Sequence, residues 1–476
     1  MRNSLRLVVG GLCLAAVLAG AGTSSVRASA PGSSLGCGQT ITKDTVLRQD
    51  LVDCQGPGLV IGADGVTLDL GGHTVSGALT TVTLVFQCEL VPAGYFECTP
   101  CDAPGFAPCG PPFATPEGFL DSVTLTRGPQ LPAIDNTGGF DRVTVRNGQV
   151  KDFEYGARLI GADRFQVTEL QGLDSSSVDD LLECVVCAED SRRGHISLIT
   201  ALGQGSAVDL RSTSDTIVED AGIVGAGASD RNTFRRVQSV GLFGGSDRNV
   251  VEQSRFGCCV FHPVDIANSS ANVIRRNSFD VPEAIFLFPG ATGNIVEDNV
   301  ITGGCEYTYG IVLFGASDNI IRRNRISGTP CPSGGIGLCD DASRNLIEDN
   351  DIRDSMVGVN LAFDSGCGDS RGPLINNVIR RNRITDSVGD RFLPESSGDG
   401  IVVGPRTRGT VVERNTVLRN SDDGIDVQNP TTILRSNVAL RNGDLGIEAL
   451  GGAVDGGGNV ARGNGNPAQC VGVRCS

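Results

Sequence analysis

The sequence of 476 residues contains no tryptophan, four tyrosines, two methionines and three histidines. Lysine occurs only as Lys43 and Lys151. With tyrosine confined to Tyr95, Tyr155, Tyr307 and Tyr309, a long aromatic platform for stacking on sugar rings is excluded. Met356 is the one methionine after Met1, which excludes a thioether cluster for copper. The formal charge of −16 offers no basic surface to neutralise phosphates, so no nucleic acid is expected as a partner. Good helix formers are scarce beside 65 glycines, which argues against a mainly helical chain.

Long apolar runs are also missing, except at the front. Arg2 and Arg6 precede LVVGGLCLAAVLAGAG, and small residues follow up to Ala28, so residues 1–28 read as a signal peptide. That run is too short and too rich in Gly and Ala to cross a bilayer, and no membrane span is expected in the mature chain. Cleavage would remove Arg2, Arg6 and Arg27 and no acid, moving the charge from −16 to −19. It would also remove Cys13, leaving sixteen of the 17 cysteines. An even number in an exported chain reads as disulfides, and places the protein in a secreted, periplasmic or cell-surface setting.

What the sequence does have is a repeat. NVIRRNSF (272–279), NIVEDNVI (294–301), NIIRRNRI (319–326), NLIEDNDI (345–352) and NVIRRNRI (377–384) share one frame. Copies begin at 249, 272, 294, 319, 345, 377, 410 and 432, with a degenerate one expected at 459. A basic period near 22 residues, stretched by insertions, points to a solenoid. Short β-branched runs set between Gly, Asn, Asp and Ser are strand and turn signals. The third and eighth residues of a copy are apolar, as in Ile321 and Ile326, and the sixth is asparagine: Asn277, Asn299, Asn324, Asn350, Asn382, Asn415, Asn437 and, by this alignment, Asn464. Such coils predict an all-β chain, a single-stranded right-handed parallel β-helix with rungs about 4.8 Å apart. The asparagines are then expected to stack as a ladder, with the asparagine itself taking the left-handed corner conformation. Positions four and five alternate in charge, as in Arg275-Arg276, Glu297-Asp298 and Arg322-Arg323, so basic and acidic pairs should meet on successive rungs.

The expected organisation is a signal peptide (1–28), an N-terminal segment and end cap (29–58), a β-helix (59–466) with a Cys-rich loop inserted at 86–120, and a disulfide-closed tail (467–476). Cys37 and Cys54 suit a bridge closing the cap. Cys88, Cys98, Cys101 and Cys109 lie in the insertion as two bridges of open connectivity. Coil arithmetic pairs Cys305 with Cys331 and Cys339 with Cys367, and Cys470 with Cys475 would tie off the tail. Cys184-x-x-Cys187 near His195 resembles a metal or redox element, but no fourth ligand or helix start accompanies it, and a structural disulfide is expected.

Upstream of most copies runs a strand of the form Gly-Ile-x-Val, with x facing outward. Successive coils place there Asp265, Phe286, Val312, Gly337, Asn360, Val402, Asp426 and Glu448. Asp399 and Asp423 precede that strand at matching positions, so Asp399, Asp422, Asp423, Asp426 and Glu448 are expected to form one acidic patch. Two carboxylates about 5 Å apart can act as a glycosidase pair or help hold Ca²⁺. Asp399, Asp423 and Asp426 are therefore the catalytic candidates, although an Asp-Gly corner is also ordinary turn chemistry. Phe286, Tyr307 and Tyr309 are the candidates for a short sugar platform, with Asn360 and Glu448 on the same ligand-binding face.

These N-x-I-x-x-N-x-I and G-I-x-V units resemble the parallel β-helix repeats (PbH1-type) shared by polysaccharide lyases, epimerases, some glycoside hydrolases and NosD-type periplasmic proteins. The resemblance covers roughly residues 59–466. It implies a binding or structural module of the surface or extracellular space, with a polysaccharide or cell-surface glycan as partner. The alternatives are a polysaccharide lyase, C5-epimerase or glycoside hydrolase working on the outer face, or a NosD-like accessory protein. The Asp-Pro-His-Asp stretch of alginate epimerases, the Gly-His-Gly and Arg-Ile-Lys elements of polygalacturonases and the Arg-x-Pro-x-x-Arg of pectate lyases are all missing. No cofactor is required by this reading, and Ca²⁺ is the one ion the acidic patch suits.

Overall fold

The computed structural model describes residues 35–90, 96–101, 118–173, 182–202, 205–257, 262–281, 283–302, 309–328, 334–361, 372–389 and 398–476. Among these residues every strand pairing is parallel except in one inserted ribbon. A first sheet of 17 strands runs from Gln39–Ile41 to Cys470–Val471. A second runs from Thr45–Val46 to Val454–Asp455, and a third, of nine strands, from Arg255–Phe256 to Val460–Arg462. The chain coils through them in turn, as expected for a parallel β-helix.

Coils begin well before the recognisable repeat. Gln39–Ile41 already pairs with Leu59–Ile61, and the long strands Thr144–Lys151, Gln166–Leu173 and His195–Leu202 stack in register. Each of these three is bent by a left-handed residue, Asn147, Glu169 or Leu198, and so supplies both the second and the third wall of its coil. The interruption expected at 86–120 is spanned by antiparallel strands Thr80–Leu90, Phe96–Cys101 and Gly118–Arg127, whose backbone register sets Cys88 opposite Cys98. Segment 102–117, with Cys109, lies outside the described residues.

The interior follows the repeat. Third-position residues Val251, Ile274, Val296, Ile321, Ile347, Ile379, Val412 and Leu434 are all fully buried, as are the eighth-position residues from Phe256 to Val417. Phe256 and Phe279 stack face to face inside the column, 4.6 Å between ring centres. Burial of each such side chain contributes about 1.5–3 kcal/mol, and this repeated gain offsets the ordering of short strands.

The asparagine ladder is present and fully bonded. Asn299 donates from both N–H and Nδ2 to Asn324 Oδ1 (3.1 and 3.0 Å), while Asn324 donates in the same way to Asn350 Oδ1 and also reaches Val296 O at 2.9 Å. Two expectations about it need correcting. The left-handed residue is not the asparagine but its predecessor: Arg276, Asp298, Arg323, Asp349, Arg381 and Arg414 all have φ near +55°. Nor does Asn464 continue this ladder. Asn437 is followed 22 residues on by Asn459, whereas Asn464 stacks under Asn442 in a different column. The last copy thus starts near Val454, which pairs with Ile433. A further ladder runs along the first residue of the copies, from Asn232 through Asn249, Asn272, Asn294, Asn319 and Asn345 to Asn377.

Charge alternation is realised as ion pairs between rungs. Arg322 meets Glu297 at 2.7 Å, Arg380 meets Glu348 at 2.8 Å and Arg435 meets Glu413 at 2.5 Å. Each of these arginines bonds the acid of the preceding rung. Glu252 is bridged from both sides, by Arg235 at 2.9 Å and Arg275 at 2.8 Å.

Glycine before the Ile-x-Val strand has a steric reason. A Cβ on Gly358, Gly400 or Gly424 would lie 2.5–2.6 Å from the carbonyl oxygen of the next glycine in the column, Gly400, Gly424 or Gly446. Disulfides join Cys37 to Cys54, Cys184 to Cys187 and Cys470 to Cys475. Cys184 and Cys187 are buried and joined, so neither is a free thiolate for a metal. Cys339 is disulfide-bonded; Cys305, Cys331 and Cys367 lie outside the described residues. No helix of the described residues is long and apolar enough to cross a membrane.

Candidate functional site

In strands Ile401–Val403, Ile425–Val427 and Ile447–Glu448 the isoleucines stand in register and face the core. Alternation along a strand then turns Val402, Asp426 and Glu448 outward, one rung apart. Asp399 and Asp423 precede the glycine column. Both are buried, at 3% and 5% exposure. Asp399 Oδ1 accepts the N–H of Asp423 at 2.8 Å, and Asp423 Oδ1 accepts the N–H of Leu445 at 2.7 Å. They tie one coil to the next as the ladder asparagines do, so half of each carboxyl serves the fold. Asp426 lies half-buried and takes a hydrogen bond from Gln428 Nε2 at 2.7 Å.

Asp444, which the sequence reading did not single out, completes the group. Asp422, Asp423 and Asp444 each direct one oxygen to within 4.8 Å of the others. Burial is the main cause that pushes the Asp423 carboxyl up to about 8, and Asp399, Glu448 and Asp422 add to it. Burial also raises Asp422, Asp426 and Glu448, helped by their acidic neighbours, while a hydrogen bond from Asp423 works against the rise at Glu448. The shift favours the protonated form of Asp423 beside Glu448. Asp422, Asp423, Asp426, Asp444 and Glu448 make no ion pair with the described residues, unlike the carboxylates paired with arginine elsewhere on the coil. Chemically, the cluster can accept hydroxyl donors, donate a proton from Asp423, or hold a hard divalent cation. Three carboxylates of this spacing suit the all-oxygen coordination of Ca²⁺ and not a thiophilic metal.

The aromatic candidates divide. Phe286 stands outward and half-buried, in register with Asp265. Tyr309 does not form a platform with it. Its ring is 1% exposed and lies flat on the next rung, where a Cβ on Gly337 would come within 2.9 Å of it. Asn360 is buried as well, and its Nδ2 donates to Tyr309 Oη at 2.6 Å. This pair is part of the packing, and Tyr307 lies outside the described residues. In place of the expected tyrosines, Phe286 has His262 and Phe288 as ring neighbours, at 4.8 and 4.4 Å between centres. The i, i+2 spacing of Phe286 and Phe288 on a strand would have revealed that pair.

The stretch 173–186 is acidic too: Glu183 binds Arg211, and Asp174, Asp179 and Asp180 lie outside the described residues. His73 meets Asp50 at 3.0 Å and His195 meets Glu219 at 2.9 Å, each across one coil.

A family model described as "Right handed beta helix region" matches residues 221–369 and 366–475. No curated protein matches the sequence. Among solved structures the chain is similar to a mutant of the periplasmic alginate epimerase AlgG, at 12% identity over 74% of this chain and 78% of that one, with a TM-score of 0.39. It is also similar to the tailspike protein of E. coli bacteriophage HK620, at 10% identity over 92% and 73%, TM-score 0.37. A third is a mannuronic acid specific polysaccharide family 6 lyase from human gut microbiota, at 12% identity over 64% and 81%, TM-score 0.36. The family match takes in more than half of the residues, continues the coil that precedes it, and places this chain in the right-handed β-helix family.

Proposed function

We propose that this chain is an exported protein that binds a polysaccharide on the outer face of its first sheet, at the cluster formed by Asp422, Asp426, Asp444 and Glu448. One observation carries the reading. Beside a wall whose acids pair with arginines from coil to coil, Asp422, Asp423, Asp426, Asp444 and Glu448 neighbour one another with no ion pair to the described residues. Such a cluster costs folding free energy, and ligand hydroxyls or a bound cation relieve the cost. Export is supported by the disulfides, which persist in oxidising compartments.

A second reading is catalysis on the same polymer. It is favoured by the raised Asp423 carboxyl next to Glu448, two neighbouring acids of which one can hold the proton. Both readings are tested by mixing the chain with neutral, amino and uronate polysaccharides, with and without Ca²⁺, and following binding by calorimetry and cleavage by new reducing ends or unsaturated uronate absorbance. The binding reading expects heat of binding that is lost in Asp426→Asn and Glu448→Gln, with no new chain ends. Turnover abolished by Asp423→Asn would replace it with the catalytic reading. Failure to bind or cleave any polymer would overturn both.

A further inference from the structure

Along the same outward column, well before the acidic cluster, the fold builds a second constellation. His262, left-handed at φ 49°, leads into the strand Val264–Ala267, which carries Asp265. One coil later Glu283, Phe286 and Phe288 come from the strand Ile285–Leu287 and its flanks. His262 Nε2 meets Glu283 Oε2 in a short contact, and Nδ1 lies 3.6 Å from Asp265 Oδ1. The imidazole stacks on Phe286 with 22° between planes, and Phe286 stacks on Phe288 with 27°.

Pairing of a histidine with an acid one coil away is ordinary in this chain, as His73 and His195 show. His262 differs in facing a second carboxylate and two phenyl rings. If the group were only packing, its polar atoms would be satisfied. Asp265 Oδ1 is instead buried without a hydrogen-bond partner, while the rest of the group stays open: the side chains of His262, Asp265 and Glu283 are 30%, 24% and 18% exposed, and both phenyl rings are half-buried. The partly open carboxyls of Asp265 and Glu283 beside an apolar ring face are what one pyranose unit fits, with its C–H face for the rings and its hydroxyls for the carboxylates. Two carboxylates against one imidazole repel a ligand that brings a further carboxylate.

We propose that His262, Asp265, Glu283, Phe286 and Phe288 form a saccharide subsite that accepts a sugar unit without a carboxylate and rejects a uronate. The inference rests on the reading of the chain as a polysaccharide binder and specifies the polymer class. Calorimetry of the full chain at pH 7 without divalent cations, with cello-oligosaccharides, chitosan oligosaccharides and oligouronates, tests it. Wild type is expected to bind a neutral or amino oligomer and not the uronate. Phe288→Ala and Phe286→Leu should weaken that binding about 3–10-fold, Phe288→Tyr should retain it, and Glu283→Gln should narrow the gap to the uronate. Melting curves exclude unfolding as the cause, and Phe286→Leu keeps the apolar volume for that reason. If these variants bind as wild type does while Asp426→Asn does not, the subsite falls and the polysaccharide reading stands. Tighter binding of the uronate than of the neutral oligomers also overturns the subsite. If wild type binds none of the oligomers, with or without added Ca²⁺, both readings fall together.

Discussion

At the scale of single residues the coil is held by side chains that act as extra backbone. Asn324 shows the arithmetic: its Oδ1 satisfies two donors of Asn299, and its Nδ2 satisfies Val296 O and Asn350 Oδ1. Asn324→Ala leaves a buried N–H and a buried carbonyl unpaired, and unpaired groups cost about 1–3 kcal/mol each. A loss of about 2–6 kcal/mol in urea-induced unfolding is the expected result; a loss under about 1 kcal/mol would show that water replaces the ladder. The neighbouring Arg323 is held left-handed, which costs about 1–2 kcal/mol. Its bonds to Asp298, at 2.9 Å, and to Glu297, at 2.6 Å, work against that cost. Sequence reading found the asparagine because a periodic Asn is unmistakable. It assigned the strained corner to the wrong neighbour, since Asn accepts that conformation more readily than Arg does. Tyr309 was misplaced for a related reason. Pattern gives the face of a strand but not the bare backbone at Gly337, on which a ring can lie down.

At the scale of strands and coils, the charged wall sets register. Arg381 reaches Asp349 at 2.8 Å and Glu348 at 2.5 Å, and its own rung is followed by one bearing Glu413. Arg381→Glu stacks like charges across those coils. The expected cost is about 1 kcal/mol at low salt, shrinking in 1 M NaCl as the Debye length falls to about 3 Å. An effect independent of salt would mean that packing of the arginine stem, not its charge, matters at this position. Coils from 272 to 437 were legible because Asn, Ile and the alternating charges recur at fixed places. Those before 249 were not, because coils of 16 and 17 residues link Ile217, Thr233 and Val250 and carry Thr216 and Val237 where later ones carry Asn. The last copy slipped by five residues in sequence since Gly456, Gly457 and Gly458 carry no pattern to align.

For the whole molecule the two kinds of carboxylate pull stability in opposite directions with pH. Asp298, Asp318, Asp349 and Asp386 are held below the usual range, first by hydrogen bonds from arginine, so their contribution is lost as pH falls below about 4. Asp423, raised to about 8, and Asp265, raised to about 6, behave the other way, both chiefly through burial. Their contribution is complete below the unfolded value and is lost as pH rises through the folded one. The melting temperature should therefore peak near pH 5 and decline toward pH 8. Asp423→Asn keeps an oxygen for the Leu445 N–H and removes the charge, so it should flatten the alkaline side of that curve. Millimolar Ca²⁺ should raise the melting temperature of wild type at pH 8 and leave Asp422→Asn with Asp444→Asn unmoved. A curve that keeps rising to pH 8 would show that the cluster is hydrated and charged throughout. Sequence alone could gather these acids into one patch, because a repeat converts spacing into proximity. It could not tell that Asp399 and Asp423 are buried, since an Asp before Gly reads the same whether its carboxyl caps a backbone amide or meets solvent.

Equal positions in neighbouring coils lie anywhere from 16 to 77 residues apart along the chain, yet among the described residues the partners stay in register, one irregularity between Leu51 and Cys54 aside. Lengthening a connection between storeys costs little, about 0.6 kcal/mol for each doubling, and the storeys on either side go on gripping each other through amides and guanidinium groups. A molecule assembled in this way can change what it recognises by growing one hairpin or arm from a chosen floor, leaving the shaft that carries it untouched.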